Sequence, residues 1–215
     1  DKSDLILKDI NLEIKKGERV GIIGKTGSGK STTIDLLMGL LSPSSGKIFI
    51  DDKELNYKKD ISFISKWQSS IGHVPQSIYL TDRSIAENIA FNIPKEKINF
   101  GRVKLAAKRA QINHFIESMP NDYLSSVGER GIQLSGGQLQ RIGIARALYK
   151  GASVLIFDEA TSALDDITEK NLMNTLNNLS NYITIIMIAH RLTTVKNCDK
   201  LIKLENGKVV KIGSP

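Results

Sequence analysis

An α/β fold with a parallel sheet, interrupted by a helical insertion, follows from three features of this sequence. A glycine-rich loop, Gly24-Lys25-Thr26-Gly27-Ser28-Gly29-Lys30-Ser31, lies between an apolar strand and a helix. A second apolar run, Ser153 to Phe157, ends in the acids Asp158-Glu159. Between them, from about residue 82 to residue 149, the pattern turns helical, and strand–helix alternation resumes at 153. Strands alternating with helices imply a sheet covered on both faces.

Taken in order, residues 5–23 read as short strands leading into the loop, the last of them Arg19 to Ile23. Thr32 to Met38 carries an apolar stripe and reads as a helix. Residues 46–50 form another strand after the Ser42-Pro43-Ser44-Ser45-Gly46 turn, and Ile71 to Val74 is strand-like before Pro75-Gln76. Ile85, Ile89, Val103, Leu105, Ala106, Ala110 and Ile112 suggest amphipathic helices, followed by a helix over Gln138–Leu148. The continuous apolar run before Asp158 suits a central strand buried on both faces. A helix near Asp166–Leu179 and a strand over Ile183–Ile188 follow, and Lys200–Lys211 closes as a hairpin turning at Asn206-Gly207. The whole of 1–215 is thus one unit, with a core of about 1–76 and 150–215 split by a helical part of about 77–149.

The loop matches G-x-x-x-x-G-K-[ST] at every fixed position, in the strand–loop–helix context that motif requires. Its glycines let backbone N–H groups curl around phosphate oxygens, and the helix N-terminus adds positive potential. Lys30 is expected to reach the β- and γ-phosphates, and the Ser31 hydroxyl to ligate Mg²⁺. In open α/β sheets ligands bind at the carboxyl ends of strands. Asp158 and Glu159 should therefore emerge beside the phosphates, Asp158 near Mg²⁺ and Glu159 polarising the attacking water. Read in isolation, the two acids would instead cap the helix that follows. His190, after the next strand, is placed to contact the γ-phosphate and fix the water against Glu159. Gln76, at the joint with the helical part, is placed to touch Mg²⁺ or water and report the γ-phosphate to the insertion. His73 and His114 lack such context and read as structural.

A second glycine cradle, Leu134-Ser135-Gly136-Gly137-Gln138, opens the Gln138–Leu148 helix. Its N–H groups and helix dipole call for an anion. One nucleotide at the first cradle leaves the second empty, which implies a partner that brings another nucleotide.

Together these motifs resemble the ATP-binding cassette (ABC) ATPase domain over essentially all 215 residues. Gly24–Ser31 resembles the Walker A loop, Gln76 the Q-loop glutamine, and Leu134–Gln138 the family signature without substitution. Val154–Asp158 resembles Walker B with Glu159 as catalytic glutamate, Ser162–Asp165 the D-loop, and His190 the switch histidine. The resemblance implies a P-loop NTPase (RecA-like) core, an N-terminal antiparallel β subdomain and an inserted α-helical signature subdomain. It implies ATP and Mg²⁺ as cofactors. Gly24, Lys25, Thr26, Gly27, Ser28, Gly29, Lys30, Ser31, Thr32 and Gln76 would line the nucleotide from one copy. Ser135, Gly136, Gly137, Gln138 and Asp165 would close over it from a second copy, in a homodimer. Catalysis falls to Glu159, His190, Gln76 and Lys30, and the metal to Ser31, Gln76 and Asp158.

Family members usually stack adenine on an aromatic upstream of the first strands, and no aromatic precedes Phe49 here. The chain is therefore expected to be part of a longer protein, with a transmembrane domain upstream. Val127-Gly128-Glu129-Arg130-Gly131, Asp82–Ile89 and Asp158–Asp165 resemble segments of the exporter branch. That places the domain at the cytoplasmic face of a membrane, a bacterial inner membrane, powering export of an unidentified substrate. A soluble cassette acting on nucleic acid or ribosomes and an importer-type cassette are the alternatives.

Composition restricts the classes further. No run approaches the ~20 apolar residues of a membrane span. The single cysteine, Cys198, excludes an internal disulfide and fits a reducing compartment. The net charge of +7 comes from scattered lysines and arginines, and the 6% of aromatic residues do not interleave with them as a base-stacking groove requires. No nucleic-acid partner is expected.

Overall fold

The computed structural model describes residues 5–128, 134–160, 166–179, 182–189 and 192–215. In order, the elements are β1 (Arg19–Ile23), α1 (Lys30–Leu37), β2 (Phe49–Ile50), β3 (Lys53–Glu54), α2 (Ile61–Ser70) and β4 (Ile71–Val74). The helices α3 (Ile85–Ile89), α4 (Phe100–Arg109), α5 (Asn113–Glu117) and α6 (Gly136–Lys150) follow. The chain ends with β5 (Val154–Asp158), α7 (Asp166–Asn177), β6 (Thr184–Ile188), α8 (Leu192–Val195), β7 (Lys200–Glu205) and β8 (Lys208–Gly213).

One six-stranded sheet runs β4-β5-β6-β1-β7-β8. Its first five strands are parallel, and β8 returns antiparallel to β7 through the Asn206-Gly207 turn. Because the five run the same way, their carboxyl ends share one edge of the sheet. Alternate residues of each strand enter two cores. Val154, Ile156, Ile186, Ile188, Val20, Ile22, Ile202 and Leu204 meet Ile34 and Met38 of the α1 segment on one face. Leu155, Phe157, Ile185 and Met187 meet residues of α3, α4, α6 and α7 on the other. Burial on both faces is why these strands read as unbroken apolar runs.

Side-chain caps fix several helix starts. Ser84 and Glu87 form a capping box at α3, and Asn99 accepts from the Arg102 amide at α4. Asn88, fully buried, donates to the carbonyls of Thr81, Arg83 and Ser84 and accepts from the Thr81 amide, knitting the turn before α3. Gly151, with φ 79°, ends α6 in the left-handed conformation that favours glycine.

The strands expected between residues 5 and 18 are not formed; the first strand begins at Arg19. Ile10, Leu12 and Ile14 alternate because they pack one side of an extended segment on the Ile202–Leu204 core. That segment makes no β-ladder among the described residues, since alternation buries side chains but does not supply a backbone partner. Separate from the main sheet, β2 and β3 pair antiparallel at Phe49↔Glu54 and Ile50↔Lys53, and an isolated antiparallel bridge joins Ser84 to Ser126. Among the described residues, no helix is long and apolar enough to cross a membrane.

Candidate nucleotide site

The glycine loop follows β1, the strand held between β6 and β7. Gly27 and Gly29 have φ of 80° and 100°, where side chains are strained. At Gly24 the constraint is space: a Cβ would stand 2.4 Å from the Leu204 carbonyl oxygen and 2.5 Å from Ser28 Oγ. The loop therefore closes against β7 only with glycine there. The Thr33 amide and hydroxyl both bond the Gly29 carbonyl at 2.9 Å, while no side chain caps α1.

Two observations show what the loop is shaped to hold. Lys30 is 5% exposed, and its Nζ donates to the carbonyls of Gly24 at 2.9 Å and Lys25 at 3.1 Å. Ser28 Oγ is buried without a hydrogen-bond partner. A buried ammonium beside an uncapped helix start and an orphaned hydroxyl suits an anion with several oxygens. Lys25, Thr26 and Gly27 are exposed at the rim, as is Ser31, and Thr32 is half-buried.

The sheet order brings the acids to the same edge. β5 lies two strands from β1, across β6, roughly 10 Å at the usual strand spacing. Asp158 ends β5 half-buried, and its carboxyl pKa is raised, first by desolvation and then by the neighbouring Glu159 charge. His73 and Lys30 pull it the other way, so Lys30 lies within electrostatic reach of Asp158. Glu159 has φ 50°, and its amide donates to the Ile188 carbonyl of β6 at 3.2 Å. A non-glycine residue in this conformation directly after a strand marks a position held by its surroundings, frequent at functional sites. The donor set of hydroxyl, carboxylate and amide oxygens at Ser31, Asp158 and Gln76 suits Mg²⁺, a hard cation that keeps few protein ligands. A cation there would also relieve the Asp158–Glu159 repulsion. Among the described residues, no group of three or more His, Cys, Asp or Glu could hold a metal.

Gln76 follows β4 on the same edge, exposed, and its carbonyl accepts from Gln140 Nε2 of α6 at 3.0 Å. At the start of α6, Ser135 Oγ accepts from the Gln138 amide at 3.3 Å, and Gln138 Oε1 accepts from the Ser135 amide at 2.8 Å. Ser135 and Gly136 are exposed, with Gly137 and Gln138 half-buried, so this second helix start is presented outward. His190, Ser162–Asp165 and Glu129–Gly131 lie outside the described residues. His73 lies within electrostatic reach of Asp158 and Asp35, while desolvation lowers its imidazole pKa. Gln140 escaped the sequence reading. Its signal was a polar residue in register with the small residues Gly143 and Ala147 on the buried side of α6.

A parallel sheet whose carboxyl edge gathers a glycine loop, a buried lysine and two acids defines a P-loop nucleotide-binding domain. The ABC transporter family model matches residues 7–162, and the chain belongs to that family; its domain binds ATP. The leukotoxin translocation ATP-binding protein LktB of Mannheimia glucosida is 46% identical over 208 residues, which cover 97% of this chain and 28% of that protein. The ATP-dependent lipid A-core flippase of Psychrobacter arcticus is 42% identical over 212 residues, covering 99% of this chain and 35% of that one. The solved structure of a bacterial Atm1-family ABC exporter with ATP bound matches with a TM-score of 0.86 at 37% identity, over 100% of this chain and 37% of the other. The chain thus spans about a third of the length of these relatives.

Proposed function

We propose that this chain is the ATP-hydrolysing motor of a membrane exporter, working as a pair of identical domains on the cytoplasmic face of a bacterial inner membrane. The observation that carries the reading is Lys30, buried in the glycine loop and within electrostatic reach of Asp158. The similarity to a leukotoxin translocation protein and to a lipid A-core flippase supports export. A transmembrane domain of the same transporter is the partner, and the substrate is chosen there.

In this reading Gly24–Thr32 wraps the phosphates, and Lys30 exchanges its two loop carbonyls for phosphate oxygens. Ser31, Asp158 and Gln76 hold Mg²⁺, which when bound neutralises phosphate charge. Glu159 orients and polarises the attacking water, and His190 helps to fix it. Residues 1–76 and 150–215 form the catalytic core and 77–149 the signature part. Ser135, Gly136, Gly137, Gln138 and Asp165 of one copy complete the site of the other, head to tail.

The test is Mg²⁺-dependent ATP hydrolysis across micromolar protein concentrations. Activity should rise more than linearly as copies pair. Constant specific activity in a protein that stays monomeric would refute the shared site.

A further inference from the structure

Gln140 is 5% exposed in the middle of a core-facing helix side. Its Nε2 bonds the Gln76 carbonyl, 64 residues away in sequence, while its Oε1 is buried with no hydrogen-bond partner among the described residues. A half-satisfied buried amide costs stability that a leucine of similar size would not. Its presence therefore asks for a use of the one bond it makes.

The surroundings supply that use. One turn further along α6, a Cβ on Gly143 would stand 2.6 Å from Ile78 Cδ1, so the helix and the segment after Gln76 are in close contact. Another turn along, Arg146 Nη2 donates to the Tyr79 carbonyl at 3.1 Å, and its Nε to the Asn88 carbonyl at 2.9 Å. Residues 140, 143 and 146 thus run along residues 76–79, with hydrogen bonds to Gln76 and Tyr79 at the two ends and a close approach to Ile78 between them. The Gln76 end is the one beside the nucleotide edge of the sheet. The same helix begins with the capping box of Ser135 and Gln138.

We propose that Gln140 is a positioning residue: its hydrogen bond sets Gln76 against the nucleotide and couples that setting to the helix that opens with Ser135. The role rests on the proposed function, in which the Gln76 side chain meets Mg²⁺ or water. Gln140 acts through the Gln76 backbone, whose carbonyl accepts its Nε2 bond.

A double-mutant cycle on the full chain tests this, using Gln140→Met and Gln76→Ala, with Gln140→Leu in reserve should the methionine variant not fold. Gln140→Met should lower kcat by about 10- to 100-fold, the upper figure being the cost of displacing a catalytic group by about 1 Å. Its dissociation constant for ATP should stay within about 3-fold, because the phosphate contacts of Lys30 and the loop are intact. Amide exchange at Gln76 to Tyr79 should speed up, an opening that needs no turnover to detect. Placed on Gln76→Ala, the Gln140 substitution should change kcat by no more than about 2-fold, since the group it positions is gone. Additive losses in the double variant, or unchanged kcat and exchange in Gln140→Met, would overturn the proposal. If Gln76→Ala itself leaves turnover intact, the role of Gln76 in the proposed function fails and takes this inference with it.

Discussion

Ser135→Ala separates what the second glycine cradle does for its own fold from what it does for a partner. In the fold, Ser135 Oγ accepts one hydrogen bond, from the Gln138 amide, at a long 3.3 Å. The reciprocal bond, from the Ser135 amide to Gln138 Oε1 at 2.8 Å, uses backbone and survives the substitution. Losing half of a box through its longer bond should cost about 0.5–1 kcal/mol, the low end for an N-cap. At roughly 2–4 °C per kcal/mol for a domain of this size, Tm should fall by about 1–4 °C. The proposed γ-phosphate contact is a hydrogen bond to a charged group, worth about 1.5–3 kcal/mol, or roughly 10- to 150-fold in turnover. Thermal melting, ATP binding to dilute monomer and turnover at pairing concentrations measure the three quantities separately. Monomer binding should be unchanged. A turnover loss of 2-fold or less, below that window, or an equal weakening of monomer binding, would refute the assignment of Ser135 to a partner's nucleotide.

Two further substitutions address the site within one copy. Lys30→Ala should weaken ATP binding to the monomer by about 10-fold or more, as expected for losing a charged hydrogen bond to phosphate; unchanged affinity in calorimetry would contradict the phosphate contact. Asp158→Asn should raise the Tm of the nucleotide-free chain at neutral pH while lowering Mg²⁺-dependent turnover. The native fold raises the Asp158 pKa, so the folded state binds this proton more tightly than the unfolded state does. Stability is therefore lost as pH rises from the ordinary carboxylate range through the raised value, and removing the charge restores it. A Tm gain that vanishes at acid pH supports this; a lower Tm at neutral pH would contradict it.

The residues of the candidate nucleotide edge stand out in the sequence because they lie next to elements that declare themselves. Gly24–Ser31 needs its glycines for a backbone shape, and Asp158–Glu159 follows a strand whose unbroken apolar run reflects burial on both faces. Helix α2 was not read, since Ile61–Ser70 mixes serine, lysine and glutamine and only Ile64 is buried among its ten residues. Residues 5–18 misled in the opposite direction: Ile10, Leu12 and Ile14 alternate through burial alone. His73 and Gln140 were invisible as site neighbours for a different reason. Sequence shows which strand and helix carry them, but not that β4 lies beside β5 or that α6 lies along residues 71–79. Such juxtapositions come from sheet order, which local pattern does not encode.

Under the proposed function, two copies of this chain close over ATP and separate when it is hydrolysed. Glu159→Gln tests this most directly, because the substitution removes the water-polarising carboxylate and leaves the phosphate contacts in place. Loss of a general base costs ~10²–10⁴-fold in rate. Sedimentation of this variant with and without ATP is the decisive measurement. Monomers without nucleotide, a dimer with ATP, and turnover reduced within that range are the expected results. A variant that binds ATP yet stays monomeric, or hydrolyses it at the native rate, would contradict the proposed function.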